Sequence, residues 1–101
     1  MVKHIVIWKL KGAAGGKSRE QNAAAIKEKL EALNGKIDGL VSLEVGIDFS
    51  GTDRSGDIVA YSEFDSRQAL AEYMVHPLHK SVIPFVAEAA SERRVVDYEV
   101  S

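Results

Sequence analysis

Apolar and polar positions alternate along much of this chain, and elsewhere the apolar ones recur at helical spacing. In Val2–Lys11 (VKHIVIWKLK), His4, Val6, Trp8 and Leu10 share one face of a strand, and Ile5 and Ile7 share the other. Large apolar groups on both faces predict a strand covered twice. GAAGGK (Gly12 to Lys17) follows as a flexible loop. Ser18, with Gln21 three positions on, is the signature of a capping box, and Ala23, Ile26, Leu30 and Leu33 continue at helical spacing up to an Asn34-Gly35 stop. Val41, Leu43, Val45, Ile47 and Phe49 then alternate with Ser42, Glu44, Gly46 and Asp48, the pattern of a half-buried strand. A polar loop, Ser50 to Asp57, closes a hairpin onto a third strand, Ile58 to Phe64.

Asp65 with Gln68 repeats the capping arrangement ahead of a helix bearing Leu70, Tyr73 and Met74. That helix stops before Pro77, since proline pushes the residue ahead of it out of helical angles. A last helix lies between Pro77 and Ala90, with Val82, Phe85, Val86 and Ala89 inward, and Arg94 to Val100 ends the chain as a strand. Its start is open: Pro77 would put His79 in the first turn, whereas a start at Pro84 would leave His79 in a loop. The order β-α-β-β-α-α-β predicts an α+β, ferredoxin-like fold with a four-stranded antiparallel sheet and its helices on one side. Ile5 and Ile7 would then point away from the helices. Left wet, each forgoes about 1.5–3 kcal/mol of burial, so a partner surface is expected. A second copy, sheet against sheet across a two-fold axis, closes a dimeric α/β barrel. A monomer with a few wet apolar residues is the alternative.

Composition narrows the partners. The 101 residues suit one domain, residues 1–101, with a single core. Apolar residues make up 46% and charged residues 28%, and a net charge of −2 supplies no general attraction to nucleic acid or to anionic lipid. No apolar run reaches the roughly 18 residues of a membrane span. Without cysteine there is no disulfide framework and no thiol nucleophile, and a cytoplasmic setting is expected.

The candidate chemistry lies in the histidines. YMVHPLH (Tyr73 to His79) carries two of the three, His76 and His79, and the third is His4. A helix starting at Pro77 sets the positive end of its dipole against a His79 imidazolium, keeping the ring neutral and able to take a proton as a general base. His4 would meet it across a pocket beside Trp8, and Tyr73 would donate to a carbonyl or enolate oxygen. Proton abstraction next to a carbonyl, without a cofactor, fits these groups. Each also has a plainer role: His4 as a bonded core histidine, His76 as a cap, Tyr73 as packing, His79 as a tie at the helix junction. A metal held by the histidines is not expected, because Pro77 distorts the spacing and no H-E-x-x-H pattern is present. GAAGGKS misses the phosphate-loop spacing, since Lys11 stands where the first glycine would have to be.

VKHIVIWKLK, AEYMVHPLHKSVIPFV and VVDYEV together resemble blocks of the stress-responsive A/B barrel (Dabb) family, in the right order and spanning Val2 to Val100. The resemblance implies a homodimer whose sheets form a central barrel with the helices outside. Some members cyclise or rearrange polyketide-like substrates with two histidines, which match His4 and His79 here, with Tyr73 nearby. Those members also use aromatic residues of the first helix, where this chain has alanines, lysines and glutamates. Three functions stand side by side. One is a binder of a small hydrophobic or carbonyl-containing ligand in a pocket lined by His4, Val6, Trp8, Tyr73, His79 and Val82. A second is a cofactor-free cyclase or lyase-like enzyme using the same pocket, and the third a structural or regulatory dimer with that pocket filled.

Overall fold

A computed structural model describes residues 1–101. Strands β1 (Val2–Leu10), β2 (Ala13–Ala14) and β3 (Lys17–Ser18) precede helix α1 (Arg19–Glu31). Strands β4 (Leu40–Ile47) and β5 (Ile58–Phe64), helices α2 (Arg67–Met74) and α3 (Pro77–Ala89), and strand β6 (Ala90–Glu99) complete the chain. The main sheet has the order β4-β5-β1-β6 with every pairing antiparallel, which is the ferredoxin-like arrangement. The alternation in β1 sends Val2, His4, Val6, Trp8 and Leu10 into the core, where they meet Ile58, Ala60, Ser62 and Phe64 of β5. Ile26 and Leu30 of α1 and Val82 and Val86 of α3 close the core from above. No helix is long and apolar enough to cross a membrane.

Local chemistry sets the element ends. The expected Ser18–Gln21 capping box is present, with Ser18 Oγ accepting from Gln21 N–H and Gln21 Oε1 accepting from Ser18 N–H. At α2 the cap shifts by one residue from the expected Asp65. Ser66 is the N-cap and accepts from Ala69 N–H, which leaves Gln68 out of any box and free to reach Glu72. Residues 12–17 are not a plain loop: Ala13–Ala14 pairs with Lys17–Ser18 around Gly15 and Gly16, whose positive φ values suit a tight reversal. The strand expected over Val41–Phe49 keeps Leu43 and Val45 buried. A bulge at Val41 turns that side chain out, and Phe49 lies beyond the strand, fully exposed. Helix α3 begins at Pro77 and runs through Pro84, and β6 follows it without a loop, starting at Ala90 rather than Arg94.

The two edges of the sheet differ. On the β4 edge, Asn34 takes the place of a strand partner: its Nδ2 donates to Leu43 O at 2.8 Å and its Oδ1 accepts from Leu43 N–H at 2.8 Å. Lys27 donates to Val45 O at 2.6 Å and Glu31 accepts from Val45 N–H at 3.0 Å, so α1 closes the rest of that edge. The last strand has little cover, and every residue of β6 after Ala90 is exposed. On the face away from the helices, Ile5 stands between Tyr61 and Val96, beside Ile7, Val59 and Tyr98. Ile7, Val96 and Tyr98 are exposed although Gly56 backbone lies against Ile7. Lys3 bonds both Glu63 and Tyr61 at the border of this apolar strip.

Candidate active site

A cavity of about 540 Å³ lies between the sheet and the helices, within the range of small-molecule sites. His4, Val6, Trp8, Tyr73, His79 and Val82, all expected from the sequence to share a pocket, line it together. Three different elements bring them there. The inward row of β1 supplies His4, Val6 and Trp8, the last turn of α2 supplies Tyr73, and α3 supplies His79 and Val82. Because Pro77 opens α3, His79 falls in its first turn. His76, the N-cap, accepts from Leu78 N–H through Nδ1 and takes no part in the cavity.

The aromatic groups are stacked in a chain. The ring centroids of Tyr73 and His79 lie 4.2 Å apart, those of Phe64 and Tyr73 5.0 Å, and those of His4 and Tyr73 6.4 Å. Phe64, fully buried beneath Tyr73, fixes the tyrosine from below. Both cavity histidines are oriented through Nδ1. His4 Nδ1 bonds the Asp97 carboxylate, and His79 Nδ1 bonds Met74 O at 3.3 Å. A carbonyl or carboxylate oxygen only accepts, so each ring donates from Nδ1, and in its neutral form each presents Nε2 as an acceptor. Ser62 Oγ donates to His4 O at 3.1 Å and holds the strand beneath.

Every buried side-chain nitrogen and oxygen has a hydrogen-bond partner, yet Tyr73 Oη and Nε2 of His4 and His79 bond nothing in the protein. These three atoms must therefore border open space, and the cavity is the space their residues line. Burial holds His79 below the ordinary imidazole pKa of 6.5. The Met74 bond opposes that shift, while the charges of His4, Arg93 and His76 reinforce it. The neutral ring expected from the helix dipole thus owes its state chiefly to desolvation. The Tyr73 hydroxyl is pushed up to about 12 by burial and remains a donor at neutral pH.

The sequence reading missed Asp97, Ser62 and Arg93. Asp97 stands directly opposite His4 in the β1–β6 pairing, and Arg93 opposite Trp8. Only the register of the last strand reveals either relation. Once that register is known, the alternation Arg93, Val95, Asp97 puts all three on the cavity side.

Fold and site together define a ferredoxin-like α+β protein with a histidine-fronted pocket under its helices. Residues 2–100 match the Stress responsive A/B Barrel Domain, Dabb, and the chain belongs to that family. It is 30% identical over 99 residues to the uncharacterized protein SCO4036 of Streptomyces coelicolor, covering 98% of this chain and 99% of the relative. Among solved structures, a dimeric protein of unknown function with a ferredoxin-like fold from Bacteroides fragilis is 34% identical. It superposes with a TM-score of 0.86, covering 98% of this chain and 95% of that one. The hydroxynitrile lyase of Passiflora edulis shares the fold, with a TM-score of 0.81 at 16% identity and coverage of 99% and 93%.

Proposed function

We propose that this protein is a homodimeric, cofactor-free acid–base enzyme that takes a small carbonyl-containing molecule into the cavity. The observation that carries the reading is that His4, His79 and Tyr73 line one cavity, with both histidines bonded to the protein through Nδ1 only. In such a pocket His4 is the general base. Asp97 fixes its tautomer and sets a negative charge beside a ring that becomes positive when Nε2 accepts a proton. The Tyr73 hydroxyl donates to the enolate oxygen as charge develops there. His79, stacked on Tyr73, has its basicity lowered by desolvation and accepts from a substrate hydroxyl or enol. The sequence favoured His79 as the base; the carboxylate behind His4 reverses that preference.

Lyase chemistry in a fold neighbour, the Passiflora enzyme, is compatible with this assignment, although at 16% identity the likeness carries the fold alone. The structural alternative needs a filled interior, and a cavity of about 540 Å³ speaks against it. Homodimerisation rests on the exposed strip of Ile7, Val96 and Tyr98 on the face of the sheet away from the helices, and on the dimeric state of the Bacteroides relative. Deuterium exchange at the α-carbons of benzylacetone, followed by proton NMR, tests the chemistry. The enzyme is expected to outpace an equal concentration of free imidazole, and His4→Ala to lose roughly 10²–10⁴ of the rate. No advantage over imidazole would remove the catalytic reading.

A further inference from the structure

We infer that Arg93 makes the cavity selective for an anionic ligand, an apolar carbonyl compound bearing a carboxylate. The inference rests on the cavity reading above and adds the class of molecule admitted. Arg93 sits on the cavity-facing row of β6, opposite Trp8, and lines the same space as both histidines. The ion pairs of the chain are Lys3–Glu63, His4–Asp97, Lys27–Glu31 and Arg67–Glu99, so the Arg93 guanidinium has no carboxylate partner. Arg93 is exposed at the rim, and its charge contributes, well behind desolvation, to the lowered pKa of His79.

Two carboxylates lie near the cavity. Asp97 is engaged by His4, whereas Glu92, which also lines the rim and stands opposite Lys9 in the β1–β6 pairing, makes no ion pair. No lysine lines the cavity, so Arg93 is its only full positive charge when the histidines are neutral. A guanidinium offers a planar fork that matches a carboxylate bidentately, and at this exposed position water and salt temper the attraction. One fork beside Glu92 suits a singly charged carboxylate better than a phosphate dianion. A ligand held this way lays its apolar body along Val6, Trp8 and Val82 and its carbonyl towards Tyr73 and His4.

The matched probes are naphthoate and its neutral amide, naphthamide, each titrated into the full chain at low salt. The indole N–H resonance of Trp8, the single tryptophan, reports occupancy of the cavity. Naphthoate is expected to bind roughly fivefold more tightly than naphthamide, a preference that shrinks as salt is added. Arg93→Gln should bring the two affinities together, and Arg93→Lys should restore part of the difference. Equal affinities in the native chain, or a preference that survives Arg93→Gln, would overturn the inference and leave the cavity reading intact. If neither probe moves the Trp8 resonance, the cavity reading fails and this inference goes with it.

Discussion

Replacing Asp97 with asparagine isolates the part of the site that distinguishes a base from a packed histidine. The bond to be altered joins a His4 side chain only 6% exposed to an Asp97 side chain 46% exposed. A hydrogen bond to a charged group is worth about 1.5–3 kcal/mol, and water around the half-exposed carboxylate discounts it. Asp97→Asn should therefore cost about 1 kcal/mol in urea unfolding, or roughly 5 °C in Tm for a domain of this size. The chemical effect is larger than the structural one. An amide that turns its Nδ2 towards His4 donates where the carboxylate accepted, so the imidazole proton moves to Nε2 and the ring loses its free acceptor. Exchange at the α-carbons of benzylacetone should fall by roughly 10²–10⁴, close to the loss from His4→Ala. Imidazole nitrogen shifts in the same sample identify the tautomer. A variant that keeps the Nδ1–H form of His4 and the native exchange rate would refute the role given to Asp97.

Other consequences are open to equally direct measurement. Tyr73→Phe removes a hydroxyl with no protein partner, so stability should stay within about 0.5 kcal/mol while exchange falls roughly 10²-fold or more; a Tm loss without a rate loss would make Tyr73 a packing residue. His79 has its folded-state pKa depressed below 6.5 by burial, so as pH falls the unfolded chain takes up the proton first. Its contribution to stability is full above the unfolded value and is lost as pH falls through the folded one. Urea melts between about pH 7.5 and 5.5 should show the decline and His79→Gln should flatten it; parallel curves would contradict the assignment. Ile5→Asp sets a carboxylate between Tyr61 and Val96, and sedimentation should show dimer affinity weakened about 100-fold or more; an unchanged sedimentation coefficient would place the interface elsewhere.

The residues that carry strong local signals were legible in the chain. The β1 alternation announces a helix-facing row and an outward row, and the structure finds His4 in the first and Ile5 and Ile7 in the second. Pro77 marks the start of α3 because its fixed φ and missing N–H suit a first helical position. Pro84, the rival start, sits inside the helix, where packing of Val82 and Val86 outweighs the lost hydrogen bond. Less was legible where neighbours compete for one role. Asp65 and Ser66 are both good caps, but Asp65 N–H still bonds Gly39 O at the strand end, and Ser66 is the residue that caps α2. The Val41 bulge breaks an alternation that is continuous in sequence, since registry with β5 is a tertiary property. The same reason hid Asp97 and Arg93. Their meaning depends on which residues of β1 they oppose, 93 and 85 positions away, and no local pattern encodes that.

His4 and His79 front one open cavity, each held to the protein through Nδ1. Titrating benzylacetone into the isotope-labelled native chain, with the ring resonances of both histidines followed together, tests it most directly. Both rings are expected to shift along one binding curve while Ile5 and Val96 on the opposite face of the sheet stay still. A ligand that moves neither ring, or that perturbs only the outer face, would contradict it.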